Sequence, residues 1–156
     1  MRAVVTLRPA GKGPTLTFEL DGDDQVTGGV GGWEAEQAGK KKRPVVRWAG
    51  TPGWNVQLPL VLDGVRGEKS VEAACRRITA WGRPQGDAKP TRLKLDGPVR
   101  VPASVVWVID SIELGAQMRR NDGRRIMQEL TLTLVEYHPA PAKTPPAKKH
   151  RDKKKP

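Results

Sequence analysis

The sequence predicts a mainly β domain with one α-helix, on three observations. Short runs of alternating apolar and polar residues recur along the 156 residues, from Thr15–Leu20 to Ile126–Tyr137, and a period of two marks a strand with one buried face. Turn signals, Pro52-Gly53 and Asn121-Asp122-Gly123 among them, separate these runs. One segment only, Ser70 to Trp81, changes to a helical period.

Taken in order, Ala3 to Leu7 and Thr15 to Leu20 read as strands joined by Gly11-Lys12-Gly13-Pro14; in the second, Leu16, Phe18 and Leu20 share a face. Asp21 to Gly32 is rich in Asp and Gly, which disfavour regular structure, so a mobile loop, or one ordered only by a partner, is expected. Trp33 to Gln37 reads as a short strand, Lys40-Lys41-Lys42-Arg43 as a basic surface link and Val45 to Trp48 as the next strand. Pro52-Gly53 suits a type II turn, with φ fixed at Pro and positive at Gly, and predicts a hairpin into the following strand. In that strand Val56, Leu58, Leu60 and Leu62 share one face, Pro59 suggests an edge or a bulge, and Asp63-Gly64 ends it.

Val71, Ala74, Cys75, Ile78 and Trp81 fall on one side of the helix, with Ser70 as its cap and Gly82 and Pro84 as its stop. Leu93 and Leu95 mark a short strand ended by Gly97-Pro98. Val105 to Leu114 is apolar at most positions, which predicts burial on both faces over part of its length. Ile126 to Tyr137 places Ile126, Leu130, Leu132 and Leu134 on one side, and Asn121-Asp122-Gly123 predicts a hairpin between these last two strands. Arg119, Arg120, Arg124 and Arg125 flank its tip, which is either solvated charge or a docking element.

Two segments follow: a domain over 1–138 and a Lys/Pro-rich tail over 139–156, whose composition predicts disorder. The tail, including Lys148, Lys149, Arg151, Lys153, Lys154 and Lys155, contributes +6 of the net +11. Such a tail neutralises phosphates, docks on an acidic protein or keeps an assembly subunit soluble. One cysteine, Cys75, excludes an intramolecular disulfide framework and suits core packing. No apolar run approaches the roughly 20 residues of a membrane helix, and the N-terminus lacks a signal-peptide pattern, so synthesis in the cytoplasm and no membrane partner are expected.

Reactive groups are few. His138 and His150 have no metal-ligand spacing, and zinc- and serine-hydrolase motifs are missing. Gly28-Gly29-Val30-Gly31-Gly32 lacks the flanking strand and helix and the Lys-Ser/Thr of a phosphate loop. Asp21, Asp23 and Asp24 fit turn chemistry better than an EF-hand. No cofactor, metal or catalytic residue is expected. Of the five tryptophans, Trp48, Trp54, Trp81 and Trp107 read as core or interface residues, and Trp33 adjoins the glycine loop.

The stretch Arg43 to Gly50, the Pro52-Gly53 turn, Leu60-Val61-Leu62-Asp63-Gly64, Ser70-Val71-Glu72 and Leu132 to Tyr137 together resemble the tube-like domain of contractile injection systems and phage tails, in particular the tube-initiator proteins that act as baseplate hub adaptors and often carry a LysM module. The resemblance spans roughly residues 1 to 138 and implies a β-sandwich or partly closed barrel with one flanking helix. It further implies a non-enzymatic ring, expected to be a homo-hexamer, between the tail tube protein and the hub or spike, with the tape measure protein a further candidate partner. Carried onto this chain, the subunit contacts are Gly28, Gly29, Gly31, Gly32 and Trp33 in the loop, and Arg119, Arg120, Asn121, Asp122, Arg124 and Arg125 at the tip. Where a LysM module would follow, this sequence has only the basic tail. The competing readings are a nucleic-acid-binding module acting through Lys40–Arg43 and the tail, and a tail assembly chaperone.

Overall fold

The computed structural model describes residues 3–36, 45–64, 70–84 and 89–138. The expected basic link Lys40–Arg43, the end of the Trp33–Gln37 strand and the tail 139–156 lie outside these residues. The chain is mainly β with one helix: β1 Val4–Pro9, β2 Leu16–Leu20, β3 Gln25–Thr27, β4 Trp33–Glu36, β5 Val45–Trp48, β6 Asn55–Asp63, α1 Val71–Trp81, β7 Leu93–Asp96, β8 Trp107–Arg119 and β9 Arg125–Glu136. Seven strands form one antiparallel sheet in the order β2-β1-β7-β8-β9-β6-β3, and β2 pairs with β6 as well. β4 and β5 form a separate two-stranded ribbon.

The alternation read from the sequence sets the core. Val56, Leu58, Leu60 and Leu62 of β6 lie opposite Leu134, Leu132, Leu130 and Gln128 of β9, and all eight are buried. Phe18 of β2, Val5 and Leu7 of β1, and Leu93 and Leu95 of β7 continue the same cluster. α1 closes it with Val71, Cys75, Ile78 and Trp81, one face of a 3.6-residue period. Ser70 caps the helix by accepting from Ala73 N–H at 3.2 Å. The helix stops at Gly82, which stays right-handed at φ −79°, so the end is set by the chain rather than by a left-handed glycine.

Four expectations need correction. The Pro52-Gly53 segment does not return β5 onto β6: β5 pairs with β4, while β6 pairs with β9, β2 and β3. Gly53 is absent from the positive-φ glycines, so the type II geometry is not adopted, and Pro52 instead accepts a hydrogen bond from Gly29 N–H. Pro59 stands in an interior strand. Its missing N–H faces the gap between the β2 and β3 ladders, where Asp21 N–H donates to Pro59 C=O at 2.8 Å, so no ladder bond is lost there. β8 is not buried on both faces: Trp107 is buried, Ile109 and Ile112 pack at the core's margin, and the strand is exposed from Glu113 to Arg119. Finally, the Asp21–Gly32 segment is ordered within the chain. It contains β3, and buried Asp24 accepts from Arg100 N–H at 3.0 Å and from Arg100 Nε at 3.3 Å.

Leu132 is fully buried and Leu114 exposed, although both are strand leucines. Leu132→Ala is expected to cost about 2–5 kcal/mol in denaturant unfolding, and Leu114→Ala to stay within about 0.5 kcal/mol.

Candidate functional site

The β8–β9 hairpin forms as its turn sequence dictates. Gly123 adopts φ 88°, Gly123 N–H donates to Arg120 C=O, and Asp122 Oδ1 accepts from Arg124 N–H at 3.0 Å. The four arginines then divide. Arg119 is tied into the turn, donating to Gly123 C=O at 2.7 Å and to Gln117 Oε1 at 3.2 Å. Arg120 is exposed, and Arg124, also exposed, makes only a loose ion pair with Asp122 at 3.9 Å.

Arg125 is committed to the interior. Its guanidinium forks onto Glu72 of α1 at 2.6 and 2.7 Å, and its Nη1 donates to Gln128 Oε1 at 3.1 Å. Gln128, buried in the core face of β9, donates from Nε2 to the carbonyls of Gly115 at 3.1 Å and Glu129 at 2.7 Å. Gly115 lies where the β8–β9 register shifts, between Leu114 and Gln117. The irregularity exposes a carbonyl that no ladder partner meets, and the amide satisfies it. Glu72, Arg125 and Gln128 were not legible as a unit. Gln128 had a signal, a polar residue in phase with Leu130, Leu132 and Leu134.

Bidentate pairing has a titration consequence. Hydrogen bonds from Arg125, reinforced by its charge against the opposing effect of burial, hold the Glu72 carboxyl down from 4.5 to about 2. Burial pushes the Cys75 thiol up, which suits a packed and unreactive sulfur.

The glycine loop is built for close approach. Gly28, at φ 85°, lies against the Gly53 carbonyl, and Gly32, at φ 92°, against that of Gly50; a Cβ at either would overlap backbone. With Gly29 N–H donating to Pro52 C=O at 2.9 Å, the loop is strapped to residues 50–54. Gly28, Gly29 and Gly32 thus pack within the chain just before the ribbon that begins at Trp33, while Gly31, at φ 90°, is exposed with open space around it. Trp33 lies opposite Trp48 in the β4–β5 register, and both are exposed, so of the two roles expected for Trp48, core or interface, the core role is ruled out. The ribbon is a separate two-stranded sheet that pairs with no strand of the main sheet among the described residues. Trp54 is half-buried against Gly29, and Trp81 and Trp107 are core residues.

The structure thus keeps the two expected surfaces separate: loop and ribbon on one side of the β6 chain entry, the hairpin tip at the far end of β8 and β9. Among the described residues, no three His, Cys, Asp or Glu side chains gather to hold a metal ion, and no helix is long and apolar enough to cross a membrane. No family model matches the chain, and no curated protein does.

A carboxyl whose folded pKa lies below its unfolded value adds stability above the unfolded value and loses it as pH falls through the folded one. Thermal midpoints should therefore drop with an added slope between pH 4.5 and about 2. Glu72→Gln should be less stable at neutral pH and lose that slope, so that the two proteins converge in acid; a constant gap across the range would contradict the assignment.

Proposed function

We propose that the chain is a structural subunit of a phage tail or tail-like injection particle, forming a ring at the tail tip or baseplate that joins the tail tube to the hub or spike. The observation that carries this reading is the open edge of β8. β7 meets β8 at Leu93–Trp107, and over the exposed far stretch Glu113–Arg119 the strand has β9 on one side and, among the described residues, no strand on the other. At about 3.4 Å per residue that edge is about 24 Å long. An unpaired edge of this length is a template for another chain, and the same surfaces repeated around an axis generate a ring.

The β2–β6 pairing supports reading the sheet as a partly closed barrel rather than a sandwich, because it joins the first strand of the order to the next to last. That shape and the likeness of residues 1–138 to tube-initiator domains supply the particle: a hexameric ring in the virion tail, made in the host cytoplasm, with the tube protein on one side and the hub or spike on the other. The exposed tip, through Arg120 and Arg124, is its candidate contact with a neighbour. Arg125 stands apart from that role, because its charge is spent on Glu72.

Quantitative mass spectrometry of purified particles tests the reading. About six copies per particle, one ring, is expected; absence from intact particles would reject a permanent subunit in favour of the assembly chaperone. The paired substitution Arg120→Glu and Arg124→Glu should leave the thermal midpoint nearly unchanged and lower incorporation into particles, whereas Arg125→Glu should unsettle the fold itself.

A further inference from the structure

We infer that a basic hollow between α1 and the β1–β2 connector takes an acidic segment of another protein. The hollow, about 670 Å³, is lined by Lys12 from the connector, by Arg76 and Arg77 from α1, and by Pro9, Pro14 and Trp81. Among the described residues no carboxylate lines it. All three cations are exposed, and among the described residues none of them pairs with a carboxylate. On α1 the reason is visible. Glu72, the helix's acidic side chain, stands four residues before Arg76, the spacing at which a glutamate ordinarily supports a cation. Its two oxygens are instead held by Arg125. Ala73 and Ala80, three or four positions from each arginine, also line the hollow and carry only methyl groups, which leaves it open. The connector is held at two points: Ala10 N–H donates to Arg92 C=O at 2.8 Å, and Gly13 lies so close to Pro9 that a Cβ there would stand 2.6 Å from its Cγ. Lys12 falls between them.

Charge sets the sign of the occupant and the apolar lining sets its kind. Three cations without a counter-charge call for carboxylates or phosphates. Pro9, Pro14, Ala73 and Ala80 add apolar surface, which a phosphate backbone does not use and the side chains between the carboxylates of a peptide do. Trp81, the aromatic of the lining, is 8% exposed and offers no ring face on which a base could stack. The hollow is open to solvent, whereas a small-molecule site buries most of its ligand. A peptide chain laid over α1 meets both the charge and the shape. The hollow shares no residue with the open edge of β8 or with the hairpin tip, so the inference stands apart from the ring reading.

The test uses the full chain, a fluorescent peptide that alternates glutamate with leucine and alanine, and a carbodiimide, which joins a carboxylate to a lysine amine in contact with it. Expected are a cross-link at Lys12, located by mass spectrometry, and a Kd about tenfold higher in the double variant Arg76→Glu, Arg77→Glu at an unchanged thermal midpoint. Both arginines are exposed, and Arg76→Gln with Arg77→Gln carries the same comparison should the charge reversal lower the midpoint. Lys153→Glu with Lys154→Glu makes the same change in net charge within the tail and should move Kd by less than about twofold. Equal weakening by the two charge-reversed pairs, or cross-links confined to lysines other than Lys12, reduces the binding to net charge and overturns the inference. A single-stranded oligonucleotide that binds more tightly than the peptide and shields Lys12 from it overturns the inference in favour of nucleic acid.

Discussion

The pairing of Glu72 with Arg125 is the interaction on which the geometry of the exposed hairpin depends. β8 and β9 extend beyond the packed core, and a two-stranded arm has little to hold its direction. Arg125 stands at the first position of β9 and forks onto the first turn of α1, where a carboxylate is also favoured by the helix dipole. Gln128 passes the constraint across to β8 by holding the carbonyl at its irregular register. Helix, arm and bulge are thereby fixed together by charged and amide hydrogen bonds, at a site where hydrophobic burial has run out.

Local signals were readable in the sequence and pairing choices were not. The Asn121-Asp122-Gly123 turn forms because three adjacent residues decide it, and the helix forms over Val71–Trp81 because its period and its serine cap lie within one segment. Strand alternation in β6 and β9 likewise predicts which side is buried. The partner of β5 is another matter: Pro52-Gly53 favours one hairpin locally, and the pairing across the 37–44 connector wins instead. The buried Asp24 is invisible to a local reading because Arg100, which satisfies it, lies 76 residues away. The choice between core and interface for Trp48 is closed to a local reading for a related reason. A strand tryptophan is buried only if the face it joins is covered, and coverage is a property of the whole arrangement, or of the next molecule.

Several polar side chains among the described residues shape local structure. Carboxylates that would draw notice as acid or base groups are found in turns, caps and ion pairs, as Asp122, Glu72 and Asp24 illustrate. Apolar groups are left exposed at the ribbon and along β8. The two departures complement each other, since an open strand edge and an uncovered tryptophan pair each lower their free energy only on contact with something else.

The position of β9 carries a further consequence, for biosynthesis. It lies between β8 and β6, yet among the described residues it is the last strand in chain order. A nascent chain that has emerged as far as β7 can join β1 to β6 through β2 but lacks β8 and β9, which complete the sheet between β7 and β6, and pairs such as Thr6 with Asp96 span 90 residues. Contacts of such separation form slowly, because loop closure precedes any gain from burial. Translation of the domain must therefore be nearly complete before its core can close, and until then the strands of β1, β2 and β6 are exposed to chaperones and to one another.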